Sequence, residues 1–407
     1  MMVTNHDVIT SHRREVAAGG GVSINAIRLL VQNRDKRQGI CNGDYMDKAE
    51  EGGYEVSLGF PLPNRLSISG GVSGVSSEGG NPYTILTKTA ESIPVAIRKI
   101  RSDLSRELSW GHCRVIVVGE RMARAGLDPL MEFVAREPNF HTKSYLMVAP
   151  GLARDISKLT PVFERLPNEV LREFARRRVT LDTSVKDFLE AAGKGGDTVA
   201  ALLTIGEMEM LSEKGKKSVW VGTDGAALFK GAKMIGKLTV PEMRAALWIQ
   251  GKMKNSVISL NSPTDGKPVS FIILTSKSKI RPVVLRDKIR FDVTIEAEDD
   301  VMSSESNIDL MDPVQIAKLE SMLSEQLAGR IEKAVKKTKD EEVDAFGFGR
   351  YVEWRYPKVW SQYKDRWRSV YKNCPIHVTA RVAVKRTGVE NNSVVLQRRE
   401  RQREGMK

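Results

Sequence analysis

One long stretch with helical periodicity, running from Asp312 toward a glycine–phenylalanine segment at 344–349, constrains the fold of this chain most strongly. Asp312 can cap helix N-terminal amides, and Pro313 suits the first helical position. The apolar residues that follow recur at spacings of three and four and share one helical face: Ile316, Leu319, Leu323, Leu327, Ile331 and Val335. The pattern predicts a helix roughly 40 Å long, with one face that must be covered.

Two stretches on either side of this helix alternate apolar and polar residues. The first is 289–296 and the second is 377–384. Alternation of this kind is typical of strands with one buried face. We therefore predict a C-terminal antiparallel sheet packed on the one long helix.

The first half of the chain alternates strand and helix patterns, which indicates an α/β layer. The predicted elements there are a short helix at 24–32, strands at 54–58, 113–118 and 144–148, and helices at 92–108, near Ala153 and at 162–192. Farther along, the predicted elements are a hairpin at 226–238, a helix at 241–249 and strands at 257–260, 269–274 and 277–284. The fold class predicted is mixed α/β, or α+β, with several domains.

Breaks in these patterns predict the domain organisation. We expect residues 1–43 to be a divergent, poorly ordered N-terminus, because they lack a sustained period. An N-terminal α/β domain at 44–212 and a C-terminal sheet and helix domain at 218–388 follow, with a subdivision near 265 left open. The glycine- and serine-rich stretch 67–82 predicts a flexible loop. Residues 389–407 form a polar, basic tail without a core signal.

Positive charge is concentrated at the C-terminal end. The chain of 407 residues has a formal net charge of +13, and residues 350–407 contain 15 Lys or Arg against 5 Asp or Glu. Nucleic acid or an anionic membrane surface could bind such a region. A solvated tail with exposed strand faces is the simpler interpretation of any single basic stretch.

Aromatic residues alternate with cations in part of this basic region, and two interpretations follow. Aromatic rings between cations can stack on bases, whereas rings at helical spacing usually dock a helix onto its own domain. The aromatic residues are Trp354, Tyr356, Trp360, Tyr363 and Trp367, and the cations are Arg355, Lys358, Lys364, Arg366 and Arg368. The second interpretation is the more frequent one.

Candidates for catalytic, cofactor-binding or metal-binding residues are weak. The three cysteines are too scattered for a disulfide framework, and no histidine pair has metal-ligand spacing. Cys113 beside His112 is better explained as a buried thiol at the start of a strand. The glycines at 19–21 lack the lysine of a phosphate loop, and Gly347 and Gly349 follow a helix. We predict no enzyme site, cofactor or metal.

Two further segments have both a structural and a functional interpretation. Glu120 follows Gly119 at a strand-to-helix junction, where it could bind a cationic ligand or stabilise the positive helix end; the structural role is favoured. The segment 344–349 is interpreted as a tight turn that tucks Phe346 and Phe348 against the core. No apolar run of about 18 residues predicts a membrane span.

Three segments in a fixed order resemble a known family. They are 111–138, then 226–238, and then 344–349 with Tyr356 to Trp360 beyond it. Together they resemble the C subunit of spore germinant receptors, the Ger(x)C lipoprotein family, over roughly residues 44–388. The resemblance rests on the ordered set and not on one motif.

This resemblance implies a non-enzymatic subunit of a receptor in the inner membrane of bacterial endospores, active in nutrient-triggered germination. The implied partners are a multi-spanning A subunit, a membrane B subunit and the membrane surface, with no nucleic acid. The family fold is multi-domain and mixed α/β, and 44–212 corresponds to its N-terminal germination-protein domain. Basic nucleic-acid binding through the C-terminal region is the alternative function.

The resemblance assigns no catalytic residue, so its signature residues are expected to be structural. They are Gly119, Glu120, Phe346, Gly347 and Gly349. Family members carry a lipidated cysteine after a short apolar signal. The charged run 34–37 precedes Cys41 here, and we therefore expect this chain to depart from the family in lipidation.

Overall fold

The computed structural model describes most of the chain. The described residues are 24–25, 28–33, 54–61, 83–104, 108–159, 161, 164, 166–193, 196–210, 216–286 and 288–387. The predicted loop 67–82, the glycines at 19–21, Cys41 and the tail 389–407 lie outside them.

Fourteen strands occur among the described residues. In chain order they are β1 (Ile24–Asn25), β2 (Arg28–Asn33), β3 (Tyr54–Pro61), β4 (Tyr83–Ala90), β5 (Leu108–Ser109), β6 (Val115–Gly119), β7 (Tyr145–Ala149), β8 (Asp197–Met210), β9 (Lys216–Lys230), β10 (Lys233–Leu238), β11 (Val257–Asn261), β12 (Pro268–Leu285), β13 (Lys288–Ser304) and β14 (Ile376–Arg386).

The same part of the chain contains ten α-helices and two short 3₁₀ helices, at 153–158 and 364–366. The α-helices are α1 (Ile93–Ser102), α2 (Glu120–Ala125), α3 (Asp128–Arg136), α4 (Pro167–Arg176), α5 (Val185–Gly193), α6 (Val240–Ile249), α7 (Pro313–Asp340), α8 (Phe348–Arg355), α9 (Pro357–Tyr363) and α10 (Trp367–Asn373). The predicted mixed α/β fold class is confirmed.

An eight-stranded mixed sheet organises the first half, in the order β10-β9-β8-β7-β6-β2-β3-β4. Its centre is parallel, because β2, β6, β7 and β8 pair in parallel. The remaining pairs are antiparallel. The predicted helix at 24–32 is wrong, since residues 28–33 form β2 between β6 and β3. Pairing with two neighbours overrides a weak local helix signal.

The hairpin predicted at 226–238 is confirmed as β9 and β10. Gly231 makes the turn with a positive φ of 60°, which glycine adopts without steric cost. β8 and β9 lie on either side of the polar break predicted as a domain boundary, and they pair with each other in one sheet. The boundary itself stays a prediction.

Two helix predictions need correction. The helix predicted at 92–108 ends at Ser102, and Leu108 belongs to β5. The helical stretch predicted at 162–192 is two helices, because Arg178 takes a left-handed conformation (φ 60°) after α4. The second helix, α5, begins with a reciprocal cap: the Ser184 amide donates to the Asp187 carboxylate, and the Asp187 amide donates to Ser184 Oγ.

A second sheet follows, in the order β11-β12-β13-β14. β11, β12 and β13 are antiparallel, whereas β14 pairs in parallel with β13. The parallel pairing corrects the expectation of a wholly antiparallel sheet. It follows from the helical connection α7 to α10 between the two strands, since parallel neighbours need a long crossover. The predicted strands 269–274 and 277–284 are one continuous strand, β12.

The long helix α7 covers this sheet as predicted. Asp312 caps it by accepting a hydrogen bond from the Val314 amide at 2.8 Å. The buried side chains are Leu319, Leu323, Leu327, Ile331, Ala334, Val335 and Thr338, and Ile316 is half-buried. They join one core with β12, β13, β14 and α6.

The exposed edge of β14 is also closed by α7. The Val382 amide donates to Ser324 Oγ at 3.0 Å, and the Val384 amide donates to Glu320 Oε1 at 2.8 Å. Side chains of the helix therefore satisfy amide groups that an edge strand would otherwise leave open to another chain.

Candidate functional site at the turn before α8

The turn from Asp344 to Gly349 is built around one buried carboxylate. Asp344 accepts hydrogen bonds from the amides of Phe348 and Gly349, at 2.8 and 2.7 Å, and from Trp367 Nε1 at 2.8 Å. The carboxylate thus caps the start of α8 and ties it to α10. Burial raises the pKa of the Asp344 carboxyl above its ordinary value, although these hydrogen bonds favour the charged form.

Both glycines of the turn are required by its geometry. Gly347 has a φ of +75°, which a residue with a side chain rarely adopts. At Gly349 a Cβ atom would lie 2.8 Å from Trp367 Nε1 and 2.9 Å from a ring carbon of Trp360. Phe346 and Phe348 are buried, as the sequence predicts. The segment that carries the family resemblance is therefore a packed structural turn.

A second buried carboxylate connects this turn to the large sheet. Asp197, the first residue of β8, accepts hydrogen bonds from Arg368 at 2.8 and 3.1 Å. It also accepts from the amides of Gly231 and Asp344, each at 3.1 Å. Its side chain is 1% exposed. One carboxylate therefore joins the start of β8, the β9–β10 turn, the Asp344 turn and α10.

A cavity of about 330 Å³ lies beside these two carboxylates. Its wall comes from α5, the start of β8, the residues around Asp344, and helices α8 to α10. The lining residues are Glu190, Ala191, Gly196, Asp197, Glu342, Asp344, Gly347, Gly349, Arg350, Glu353, Trp360, Lys364, Asp365, Arg366, Trp367, Arg368 and Ser369. The lining combines charges of both signs with two indole rings, at a junction of segments distant in sequence, where small-molecule sites are common.

The basic, aromatic-rich stretch docks onto its own domain. Trp367 belongs to the C-terminal core, and the half-buried rings of Tyr356, Trp360 and Tyr363 pack against that core. Trp354 is 69% exposed. The stretch contains two helices, α9 and α10, separated by the 3₁₀ turn at 364–366. Since most of these rings contact the protein itself, the docking interpretation applies to them.

Glu120 has a structural role at the first residue of α2. Its carboxylate accepts hydrogen bonds from Arg124 at 2.8 Å and from Lys237 on β10 at 2.8 Å. Partial burial opposes its ionisation, but the two cations outweigh that effect and hold the pKa of the Glu120 carboxyl below its ordinary value. The residue thus joins α2 to β10 at the edge of the sheet.

The remaining candidates from the sequence also occupy structural positions. Cys113 is fully buried just before β6. Burial raises the pKa of the Cys374 thiol to about 12, which disfavours the reactive thiolate there. Within the described part of the chain, no group of three or more His, Cys, Asp or Glu side chains could hold a metal ion.

Sequence reasoning missed two buried carboxylates. No local sequence pattern indicates that Asp197 is buried and paired, because its partner Arg368 lies 171 residues away. Asp299 does have a signal, since it continues the alternating core-facing positions of β13 that end in Ile295 and Ala297. Its carboxylate is 0% exposed, and among the described residues neither of its oxygens has a hydrogen-bond partner.

Two family sequence models match this chain. The model described as "Spore germination protein N-terminal domain" matches residues 36–205, and the one described as "Spore germination B3/ GerAC like, C-terminal" matches residues 224–388. The two matched segments meet at Asp197, which lies in the first and is bonded by Gly231, Asp344 and Arg368 of the second.

Individual relatives agree with these matches. Spore germination protein KC of Bacillus subtilis (strain 168) is 25% identical over 381 residues, covering 88% of this chain and 93% of that protein. Spore germination protein GerQC of Bacillus cereus is 20% identical, covering 85% and 93% respectively. The crystal structure of the GerBC protein superposes with a TM-score of 0.54 at 19% identity, covering 86% of this chain and 99% of that one. No helix in the described ranges is long and apolar enough to cross a membrane.

Proposed function

Because the chain belongs to the GerAC-like spore germination family, as a C subunit of the germinant-receptor type, we propose that it acts without catalysis, through contacts with membrane-bound A and B subunits at the inner spore membrane. The observation that carries this proposal is the match of two family models along the chain, at 36–205 and 224–388. In the turn at 344–349, the Asp344 carboxylate is bonded to the amides of Phe348 and Gly349.

A non-enzymatic role agrees with how the ionisable groups are used. Asp197 and Glu120 each contact cations of the chain itself, and Asp344 caps a helix. A general acid or base needs a titratable group within reach of a substrate proton. These carboxylates are instead occupied by structural partners.

Contact with a membrane surface is supported by the basic C-terminal end. In its described part, Arg381, Lys385 and Arg386 of β14 are exposed. Juxtamembrane cations are attracted to anionic lipid by about 1 kcal/mol each. We expect more of the full chain to float with vesicles that contain anionic lipid than with neutral vesicles. Equal recovery with both would remove the lipid contribution.

The decisive experiment is co-purification from spores. A tagged chain, isolated from solubilised spore membranes, should bring down A and B receptor subunits. Leu323→Asp, which disrupts the core under α7, is expected to lose both partners, whereas Ala317→Asp on the exposed face of α7 should retain them. Recovery of the intact chain without either subunit would contradict the proposal.

A further inference from the structure

Cationic side chains line the cavity beside the Asp344 turn. Among the residues that the structure describes, Arg350, Lys364 and Arg366 have no carboxylate partner, and all three line the cavity. The Arg366 guanidinium lies 4.9 Å from the centre of the Tyr363 ring. A guanidinium stacked in this way keeps its N–H edges free to donate.

Most carboxylates in the wall of this cavity already form ion pairs or hydrogen bonds with other groups of the protein. Asp197 is paired with Arg368, and Asp344 is bonded to two amides and an indole. Glu342 pairs with Lys372 at 2.8 Å. Glu190 lies 3.5 Å from Lys186, and Glu353 also has a partner. Asp365 is the exception in the described lining.

The uncharged part of the cavity wall suits the carbon skeleton of an organic molecule better than a bare ion. Trp360 is half-buried and reaches the cavity together with the backbone of Gly349. A volume of about 330 Å³ lies at the lower end of the range for small-molecule sites. The occupied carboxylates Asp197 and Asp344 stand close behind, and they repel a doubly charged phosphate more strongly than a singly charged carboxylate.

We propose that this cavity is a binding site for a small organic carboxylate, whose anionic group contacts Arg350 and Lys364 or Arg366 and whose body lies against Trp360. The Arg350 side chain lies against Gly347, where a Cβ would be 3.7 Å from Arg350 Cδ, in ordinary van der Waals contact. The inference is independent of the receptor assembly, because the cavity is formed within one chain.

Calorimetric titration of the purified full chain tests the proposal, with benzoate as the probe. Benzamide is its neutral counterpart, and inorganic phosphate represents the other anion class. We expect saturable binding of benzoate, with benzamide and phosphate about tenfold weaker, because a charged acceptor strengthens each hydrogen bond. Arg350→Gln, and the double change of Lys364→Gln with Arg366→Gln, should each weaken benzoate binding about fivefold or more.

Two controls separate binding from folding. Lys318→Gln makes the same change on the exposed face of α7 and should leave benzoate binding unchanged. Ser369→Trp fills the cavity from α10 without removing a cation, and should abolish binding while the melting temperature is kept. Equal binding of benzoate and benzamide, tighter binding of phosphate, or wild-type binding by Arg350→Gln would each overturn the carboxylate site.

Discussion

The Arg368 guanidinium and the Asp197 carboxylate form an ion pair at 2.8 Å between two parts of the chain 171 residues apart. Asp197 is buried, whereas Arg368 is partly exposed. The two residues belong to the two segments matched by separate family models. The pair is therefore a direct link between the large sheet and the C-terminal helices.

Removal of the cation from this pair should destabilise the protein. Arg368→Gln leaves the Asp197 carboxylate buried with two amide donors but no opposite charge. We expect the free energy of unfolding to fall by about 1–3 kcal/mol, below the cost of breaking a fully buried pair, because Arg368 is partly exposed. Denaturant unfolding at neutral pH measures the change. The control Arg381→Gln, on an exposed position of β14, should have little effect, and an equal loss there would refute the link.

The core face of α7 should not tolerate charge. Leu323→Asp places an unpaired carboxylate under the sheet and should cost several kcal/mol. Ala317→Asp adds the same group to the exposed face of the same helix, where we expect a loss of roughly 0.5 kcal/mol from helix propensity. Thermal unfolding followed by circular dichroism distinguishes them. Wild-type melting of Leu323→Asp would mean that this face is open to water.

Replacing Gly349 and Gly329 by alanine should change the free energy of unfolding in opposite directions. A Cβ at Gly349 would meet Trp367 and Trp360 at under 3.0 Å, so Gly349→Ala should lower the free energy of unfolding by about 1–3 kcal/mol through overpacking. Gly329 lies within α7, and a Cβ there would meet nothing within 4 Å. Gly329→Ala should therefore stabilise the helix by about 0.5–1 kcal/mol. A neutral Gly349→Ala would contradict the close contact with the indoles.

Asp299 should make stability depend on pH. Burial, with a smaller contribution from the charge of Asp300, raises the pKa of the Asp299 carboxyl from its ordinary value of 3.8 to about 7. The two neighbouring strands both shift register at this position. Between about pH 4 and 7 the folded state holds a proton that the unfolded state has lost, so the free energy of unfolding decreases as pH rises through this window.

Asp299→Asn tests this expectation, because it removes the titration while keeping the shape of the side chain. At pH 8 we expect the variant to be more stable than the wild type by about 1–3 kcal/mol, with the difference disappearing near pH 4. Asp292→Asn, on the opposite face of β13 and partly exposed, serves as the control and should show no such trend. A difference that stays constant with pH would show that Asp299 is not protonated in the folded protein.

Sequence patterns predicted elements whose signal is local. The buried stripe of α7 follows from a spacing of three and four, the hairpin of β9 and β10 from a short glycine-containing turn, and the burial of Phe346 and Phe348 from their place between glycines. The resemblance to the C-subunit family came from the order of such segments. The stretch 162–192 was correctly predicted to be helical. The error was to treat it as one helix, because the left-handed Arg178 divides it into two.

Elements that depend on distant partners could not be predicted in this way. Residues 28–33 become β2 only because β3 and β6 offer edges on both sides. The parallel pairing of β14, the ion pair of Asp197 with Arg368, and the cavity beside Asp344 all join residues far apart in the chain.

The sequence by itself therefore determined the periodic elements, the turns and the family of this protein, because helical spacing, strand alternation and glycine chemistry act between near neighbours. Only the tertiary structure decided which edges pair, which carboxylates become buried with or without a cation, and which cations are left free around a cavity. The physical reason is that burial and ion pairing depend on distance in space, and a linear order of residues does not specify that distance.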